Sequence, residues 1–122
     1  MHELAVAEGL VRQVQAAARE RAPGRRVTAI EVELGELSAV VPEFLRSAFP
    51  LAAEGTGLDG AALCIRRVAA QFACRSCAAR FAPGGTACPQ CGGTDVELVA
   101  GREIFLVSIE VEDGPEAKGK RR

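Results

Sequence analysis

Residues 74–91 read CRSCAARFAPGGTACPQC and carry two C-x-x-C pairs separated by ten residues. The four cysteines of these pairs are Cys74, Cys77, Cys88 and Cys91. Two such pairs at this spacing are typical of a zinc ribbon, in which each pair supplies two thiolates to one tetrahedral ion. We therefore predict a structural zinc site with four protein ligands and no open position for a substrate.

The residues that follow each pair bear on this prediction. Gly92 and Gly93 follow the second pair, and glycine accepts the positive backbone angles that metal-binding turns often require. Ala78 stands at the matching place after the first pair. A redox dithiol, two disulfides and a rubredoxin-like iron site are the alternatives, and thiolates also bind copper or cadmium. A redox C-x-x-C is normally a single pair beside a βαβ pattern, so two pairs in a glycine-rich segment favour zinc.

The chain before the cysteines begins with a predicted helix and strand. The apolar residues of the helix recur at steps of three and four, and they are Leu4, Ala7, Val11, Val14 and Ala18. This helix should end at Ala22-Pro23-Gly24, because proline disfavours a helical residue before it. The strand alternates in its exposure, and its inward residues are predicted to be Thr28, Ile30, Val32 and Leu34.

A second helix is predicted to start at Pro42, where the missing N–H of proline costs nothing. Its buried residues should be Leu45, Ala48, Phe49 and Ala52. Pro50 lies inside this helix and removes a hydrogen bond, at a cost of about 3 kcal/mol unless the helix kinks or ends nearby. The sequence therefore predicts a distorted second helix.

Two further strands complete the pattern. In the first, Leu63 and Ile65 face one way, and Cys64 and Arg66 face the other. The last strand runs from about residue 103 to 112, and one side of it should carry Phe105, Val107, Ile109 and Val111. The order is thus helix, strand, helix, strand, cysteine-rich insert, strand.

This order predicts an α/β (α+β) fold, in which a small mixed sheet and two helices form a two-layer domain. Residues 1–69 and 100–112 should make up this domain. A zinc-ribbon-like four-cysteine domain, residues 70–99, is inserted into it. Residues 113–122 have too little apolar content to order themselves and are predicted to be a disordered tail.

Composition limits the functions that the chain can have. Its 122 residues suit one core and a small satellite, and 15 basic against 16 acidic side chains give no field that attracts nucleic acid or an anionic membrane. No apolar run approaches the roughly 20 residues of a membrane span, and the N-terminal residues do not resemble a secretory signal. We therefore expect a cytoplasmic protein, and in that reducing compartment paired cysteines favour metal over disulfides. Cys64 is left over and is expected to be a small, partly buried hydrophobe.

The first residues offer a second group of metal donors. His2 is the only histidine, and it is adjacent to the α-amine of Met1. The amine, the backbone nitrogen between these residues and a ring nitrogen of His2 can form fused chelate rings around one divalent ion. A fourth place then remains for Glu3 or another group. Nitrogen donors in a square-planar set suit Ni(II) or Cu(II).

Several segments together resemble the HypA/HybF hydrogenase nickel-incorporation family, over nearly all of residues 1–112. They are Met1-His2-Glu3, Glu33-Leu34-Gly35-Glu36-Leu37-Ser38, Pro42-Glu43-Phe44-Leu45, Gly60-Ala61-Ala62-Leu63 and the two C-x-x-C pairs. In some relatives an acidic residue after the Gly-Glu segment assists nickel, and this chain has Val40 and Val41 there.

The resemblance implies a nickel metallochaperone, not an enzyme, with nickel as transient cargo and zinc as a structural ion. Nickel would be bound by Met1, His2 and Glu3, and zinc by the four paired cysteines. The implied partners are a nickel-handling GTPase and the large subunit of a nickel-iron hydrogenase.

Two other functions remain as alternatives. A zinc-ribbon module could bind nucleic acid or a protein assembly, and the basic residues of the tail would support this function. The near-neutral cysteine module, with only Arg75 and Arg80 between Cys74 and Cys91, argues against nucleic acid. A thiol redox enzyme would require cysteines that react readily without a chelator.

Overall fold

The structure is a computed structural model, and it describes residues 3–112. These residues form two helices and six strands. In chain order the elements are α1 (Glu3–Arg21), β1 (Val27–Gly35), α2 (Pro42–Ala53), β2 (Ala62–Val68), β3 (Gln71–Cys74), β4 (Arg80–Phe81), β5 (Val96–Ala100) and β6 (Ile104–Val111). Met1, His2 and the predicted disordered tail 113–122 lie outside the described residues.

Both helices occur where the apolar periodicity predicts them, and they pack against each other. The buried residues of α1 are Ala7, Leu10, Val11 and Val14. Those of α2 are Leu45, Ala48, Phe49 and Ala53, so Ala53 takes the place predicted for Ala52. The helix continues through the exposed Pro50 and ends three residues later, which limits the cost of the missing N–H.

The sheet that contains β1 has the order β2-β1-β6, and it is mixed. Near the end of β1, the amide of Glu36 donates to the carbonyl of Val68 at the end of β2 (2.8 Å). The amide of Gly35 donates instead to the carbonyl of Glu103, at the start of β6 (2.9 Å). The pairing is therefore parallel on one side of β1 and antiparallel on the other.

Burial along these strands corrects parts of the sequence prediction. In β1, Ile30, Val32 and Leu34 are buried as predicted, but Thr28 is exposed and Val27 is buried in its place. In β6 the alternation breaks between Val107 and Ser108, which are both exposed. The half-buried side chains of β6 are Ile104, Leu106, Ile109 and Val111. Of the four side chains predicted to share one side, Ile109 and Val111 are therefore half-buried, and Phe105 and Val107 are exposed.

A second three-stranded sheet has the order β4-β3-β5, and the residues between β2 and β6 supply it. Strand β3 pairs antiparallel with both neighbours, placing Phe72 opposite Phe81 on one side and opposite Leu98 on the other. The Phe72 and Phe81 rings stack with centroids 5.9 Å apart. The insert predicted from the cysteines is therefore a small sheet and not only a loop.

The chain divides into two compact units. One contains residues 3–32, Val40–Ile65 and 106–112, and the other contains Glu33–Ala39 and Arg66–Phe105. The second unit thus extends beyond the predicted 70–99 on both sides and includes the turn after β1. Within residues 3–112, no helix is long and apolar enough to cross a membrane.

Candidate metal centre

The four paired cysteines come together as one cluster. Their sulfur atoms all lie within 4.8 Å of one another. Two contacts join the pairs: Cys74 Sγ lies 3.6 Å from Cys91 Sγ, and Cys77 Sγ lies 3.6 Å from Cys88 Sγ. Four sulfurs bound tetrahedrally to zinc at 2.3 Å would be about 3.8 Å apart. The cluster is therefore of a size that suits a tetrahedral thiolate-bound ion.

Each C-x-x-C pair lies in a turn with the same hydrogen-bond pattern. In the first turn, the amide of Ala78 donates to the carbonyl of Cys74 (2.9 Å), and the amide of Cys74 donates to that of Ala79 (2.9 Å). The second turn repeats both bonds at the equivalent residues, with Gly92 donating to Cys88 (2.8 Å) and Cys88 donating to Gly93 (2.7 Å). Two copies of one local structure thus supply the four thiols.

The position that completes each turn has a left-handed backbone. The φ angle is 77° at Gly92 and 67° at Ala78, which is the only non-glycine residue with positive φ between residues 3 and 112. The prediction that Gly92 suits a turn with a positive backbone angle is therefore confirmed, and Ala78 has the same kind of angle at the matching place. A left-handed conformation at a residue with a Cβ costs roughly 1–2 kcal/mol, so the first turn is held by its other interactions.

Backbone amides in these turns point at the sulfurs. The amide of Gln90 donates to Cys88 Sγ at 3.3 Å, and that of Gly93 donates to Cys91 Sγ at 3.4 Å. Such bonds favour the charged form of a thiol, which is the form that binds metals.

The thiol pKa values show the effect of crowding four such groups. Hydrogen bonds from the amides of Cys77 and Ser76 lower the pKa of Cys74 to about 7, against the burial that raises it. The amide of Cys91 lowers the pKa of Cys88 in the same way. At Cys77 the amide of Ala79 also favours the thiolate, but burial and the neighbouring thiols prevail and raise its pKa to about 12. Without a cation, the cluster does not readily hold four negative charges.

An ion-pair network fastens the first turn to strand β5. The guanidinium of Arg75 donates to Asp95 at 2.6 Å and to Glu97 at 2.7 Å, and its backbone amide bonds to the Asp95 carbonyl at 3.0 Å. These side chains are about half exposed, so the ion pairs add little stability by themselves. Their effect is to fix the orientation of the turn that carries Cys74 and Cys77.

Of the predicted N-terminal nickel ligands, the structure describes only Glu3. Its carboxylate Oε2 accepts a hydrogen bond from the backbone amide of Val41 at 2.9 Å. Met1 and His2 lie outside the described residues. Sequence reasoning did not find the Val41 amide as the partner of Glu3, because no side-chain pattern marks a backbone donor 38 residues away.

Cys64 is not one of the cysteines of the cluster. It is exposed, whereas the sequence analysis expected a partly buried hydrophobe, because it is on the side of β2 opposite to Leu63 and Ile65. The only group of three or more metal-binding side chains in residues 3–112 is the four-cysteine cluster, so Cys64 belongs to no such group.

Comparison with known proteins places these features in a family. A family model described as "Hydrogenase/urease nickel incorporation, metallochaperone, hypA" matches residues 1–111. The hydrogenase maturation factor HypA of Streptomyces avermitilis is 39% identical over 117 residues, covering 93% of this chain and 89% of its own. The HypA protein of Geotalea uraniireducens is 40% identical over 114 residues, covering 92% and 100%.

Solved structures of similar proteins agree with this comparison. The solution structure of the Ni metallochaperone HypA from Helicobacter pylori superposes with a TM-score of 0.69 at 26% identity, covering 91% of this chain and 97% of that one. A second solution structure of a HypA protein gives a TM-score of 0.72, also at 26% identity.

Proposed function

This chain belongs to the HypA family of nickel metallochaperones, and on that premise we propose that it binds Ni(II) at its N-terminus and delivers it during maturation of nickel-iron hydrogenase. The observation that carries the proposal is the match of a nickel-incorporation family to residues 1–111. Members of this family are metallochaperones and maturation factors, so no reaction is assigned to the chain.

The two groups of donors have different roles in this proposal. Cys74, Cys77, Cys88 and Cys91 hold a structural zinc ion, since four thiolates leave no open position on the metal. Spacing of the sulfurs near 3.6 Å supports zinc at this site. Met1, His2 and Glu3 form the nickel site, for which the nitrogen donors of the amine, backbone and imidazole are suited.

A nickel site of few ligands at a chain terminus suits transfer. The amine and the imidazole can leave the metal one at a time, so an acceptor can replace them by ligand exchange. A tighter nitrogen site would also capture copper, which binds such donors more strongly than nickel does. Moderate affinity is therefore an advantage for a carrier.

The proposed partners are a nickel-handling GTPase and the large subunit of a nickel-iron hydrogenase. Both follow from the family and from the need for a donor and an acceptor of nickel. We place the transfer in the cytoplasm, because free thiols of this kind persist in a reducing compartment.

The alternative, a zinc ribbon that binds nucleic acid, has less support. Arg75, one of two basic side chains between Cys74 and Cys91, is engaged by the carboxylates of Asp95 and Glu97. A module whose arginine is paired in this way offers little positive charge to phosphates.

A complementation experiment tests the proposed function. The chain would be expressed in a bacterium that makes a nickel-iron hydrogenase and lacks its own HypA protein, and nickel would be measured in the purified large subunit. We expect the full-length chain to restore nickel to the large subunit, and the His2→Ala variant to restore little. A large subunit that stays nickel-free with the expressed, zinc-loaded chain would contradict the proposal.

A further inference from the structure

The carboxylate of Glu3 already has a partner within the protein. Its Oε2 accepts the Val41 amide at 2.9 Å, joining the first residue of α1 to the residue that precedes α2. The two residues are 38 positions apart in sequence. This bond therefore ties together the starts of two helices that also pack against each other.

The Val41 amide needs such an acceptor from elsewhere. Val41 is the N-cap of α2, and no side chain caps the start of this helix in the usual way. In many helices a Glu or Gln at the third helical position bonds back to the N-cap amide, but Phe44 holds that position here. Glu3 supplies the missing carboxylate from the other helix, and its negative charge is favourable at the N-terminus of α2.

We infer that Glu3 is a positioning residue for the nickel site, and that its carboxylate serves the Val41 amide instead of the metal. The inference rests on the proposed N-terminal nickel site and assigns one of its three residues a different role. Because Glu3 directly follows His2, the bond to Val41 fixes the point from which the amine and imidazole donors extend.

A fixed starting point strengthens a chelate by pre-organising its donors. When the residue next to the donors is held, less conformational freedom is lost as the metal binds. Loss of the Val41 bond should therefore weaken nickel binding although no metal ligand is removed. The side-chain oxygen of glutamine can also accept an amide, so Glu3→Gln should keep the positioning effect that Glu3→Ala removes.

The experiment compares Glu3→Gln, Glu3→Ala and the parent, with Glu8→Gln as a control that removes one exposed negative charge from the same helix. Nickel affinity is measured by calorimetry, and hydrogen exchange of the Val41 amide is measured by NMR with and without nickel. We expect Glu3→Gln to bind nickel within about threefold of Glu8→Gln, and Glu3→Ala to bind it about tenfold more weakly. Exchange at Val41 should accelerate in Glu3→Ala alone, and nickel should not accelerate it in the parent.

Three results would overturn the inference while leaving the nickel site in place. If Glu3→Gln loses as much affinity as Glu3→Ala, or if nickel accelerates exchange at Val41 in the parent, the carboxylate is a metal ligand. If Glu3→Ala binds nickel as tightly as the parent, Glu3 has no positioning role. If His2→Ala binds nickel as well as the parent does, the proposed N-terminal nickel site is wrong, and the inference about Glu3 is overturned with it.

Discussion

Ala78 and Gly92 have the same left-handed backbone in the two turns that carry the paired cysteines, with φ angles of 67° and 77°. The hydrogen bonds that they make are also equivalent, since each donates its amide to the carbonyl of the first cysteine of its pair. The two turns therefore differ at this position chiefly by the Cβ of Ala78. A glycine at position 78 would remove this difference and should stabilise the first turn.

Replacing Ala78 with glycine should stabilise the zinc-bound module. Removal of the Cβ should remove the cost of the left-handed conformation, which is roughly 1–2 kcal/mol. Glycine in turn lowers the stability of the folded state by about 0.5–1 kcal/mol, because it has more conformational freedom in the unfolded chain. We expect zinc affinity to tighten up to about fivefold, the equivalent of 1 kcal/mol, in competition with a chromophoric chelator.

The reciprocal change, Gly92→Ala, should weaken zinc binding by a similar factor. Ala82→Gly, in the exposed segment between the pairs, is the control for added flexibility and should weaken binding slightly or not at all. If Ala78→Gly binds zinc more weakly than the parent does, the left-handed backbone at Ala78 does not cost the turn the stability that we expect.

Zinc should be needed for the order of the small sheet. Its three strands bury few large side chains, and structural zinc contributes roughly 10–16 kcal/mol to small zinc-finger peptides. We expect Cys88→Ser to lose zinc and to become protease-sensitive between residues 70 and 99, while α1 and α2 keep their helical circular dichroism. Cys64→Ser is the matched control and should retain about one zinc per chain. Protease resistance in the zinc-free Cys88→Ser protein would contradict this expectation.

In the folded geometry of the cluster, the cysteines would ionise in a set order without a metal. The pKa of Cys74 is lowered to about 7 and that of Cys77 is raised to about 12. Because the Cys74 pKa is depressed on folding, its contribution to stability is present above the unfolded value of about 9 and is lost as pH falls through 7. Cys77 has the opposite sign, so its contribution is present below its unfolded value and is lost as pH rises toward 12.

Alkylation of the chelated protein tests whether this order survives removal of the metal. Because the module is expected to lose its order without zinc, peptide mapping after brief iodoacetamide treatment should show Cys74 and Cys77 modified over the same pH range, near the ordinary thiol value of about 9. Modification of Cys74 with a midpoint near pH 7, and of Cys77 only at much higher pH, would show that the metal-free turns keep their folded geometry.

The sequence predicts well what depends on local patterns. The periodicity of α1, the alternation of Leu63 and Ile65 and the spacing of the cysteines each involve neighbours a few residues apart. The exposure of Phe105 and Val107 in β6 was missed because every second residue from Phe105 to Val111 is apolar, so the sequence does not mark where burial changes. The bond from Val41 to Glu3 has no local signal at all, because it is a backbone contact across 38 residues.

Close approach of two backbones is another feature without a local signal. A Cβ built on Gly35 would overlap the carbonyl of Gly101, and one built on Gly101 would lie 2.5 Å from the Cα of Ala70. In the same region the carboxylate of Glu36 accepts the Ala70 amide at 2.7 Å, and Leu37 donates to the Gly101 carbonyl at 2.7 Å. The turn after β1 thus packs directly on the segments that flank the small sheet.

Gly35→Ala should therefore destabilise the protein. Overpacking of this kind typically costs about 1–3 kcal/mol, and the obstruction here is backbone, which cannot rotate away. The measurement is urea unfolding followed by circular dichroism. Gly84→Ala is the control, since a Cβ there meets no atom within 4 Å. Equal unfolding midpoints for the two variants would mean that the backbones separate at little cost.

The central claim is tested most directly by titrating nickel into three zinc-loaded chains. These are the parent, His2→Ala, and a chain with one alanine added before Met1. The added alanine keeps every side chain but moves the amine out of the chelate ring, so it tests the geometry of the N-terminal site. Protons compete for the imidazole near pH 6.5 and for the amine near pH 8, so the titration is run above these values, at about pH 8.5. We predict that the parent binds about one nickel and that both altered chains lose this binding while they retain zinc. If both altered chains bind nickel as well as the parent does, the account is contradicted. The thiolates would then be the candidate nickel ligands.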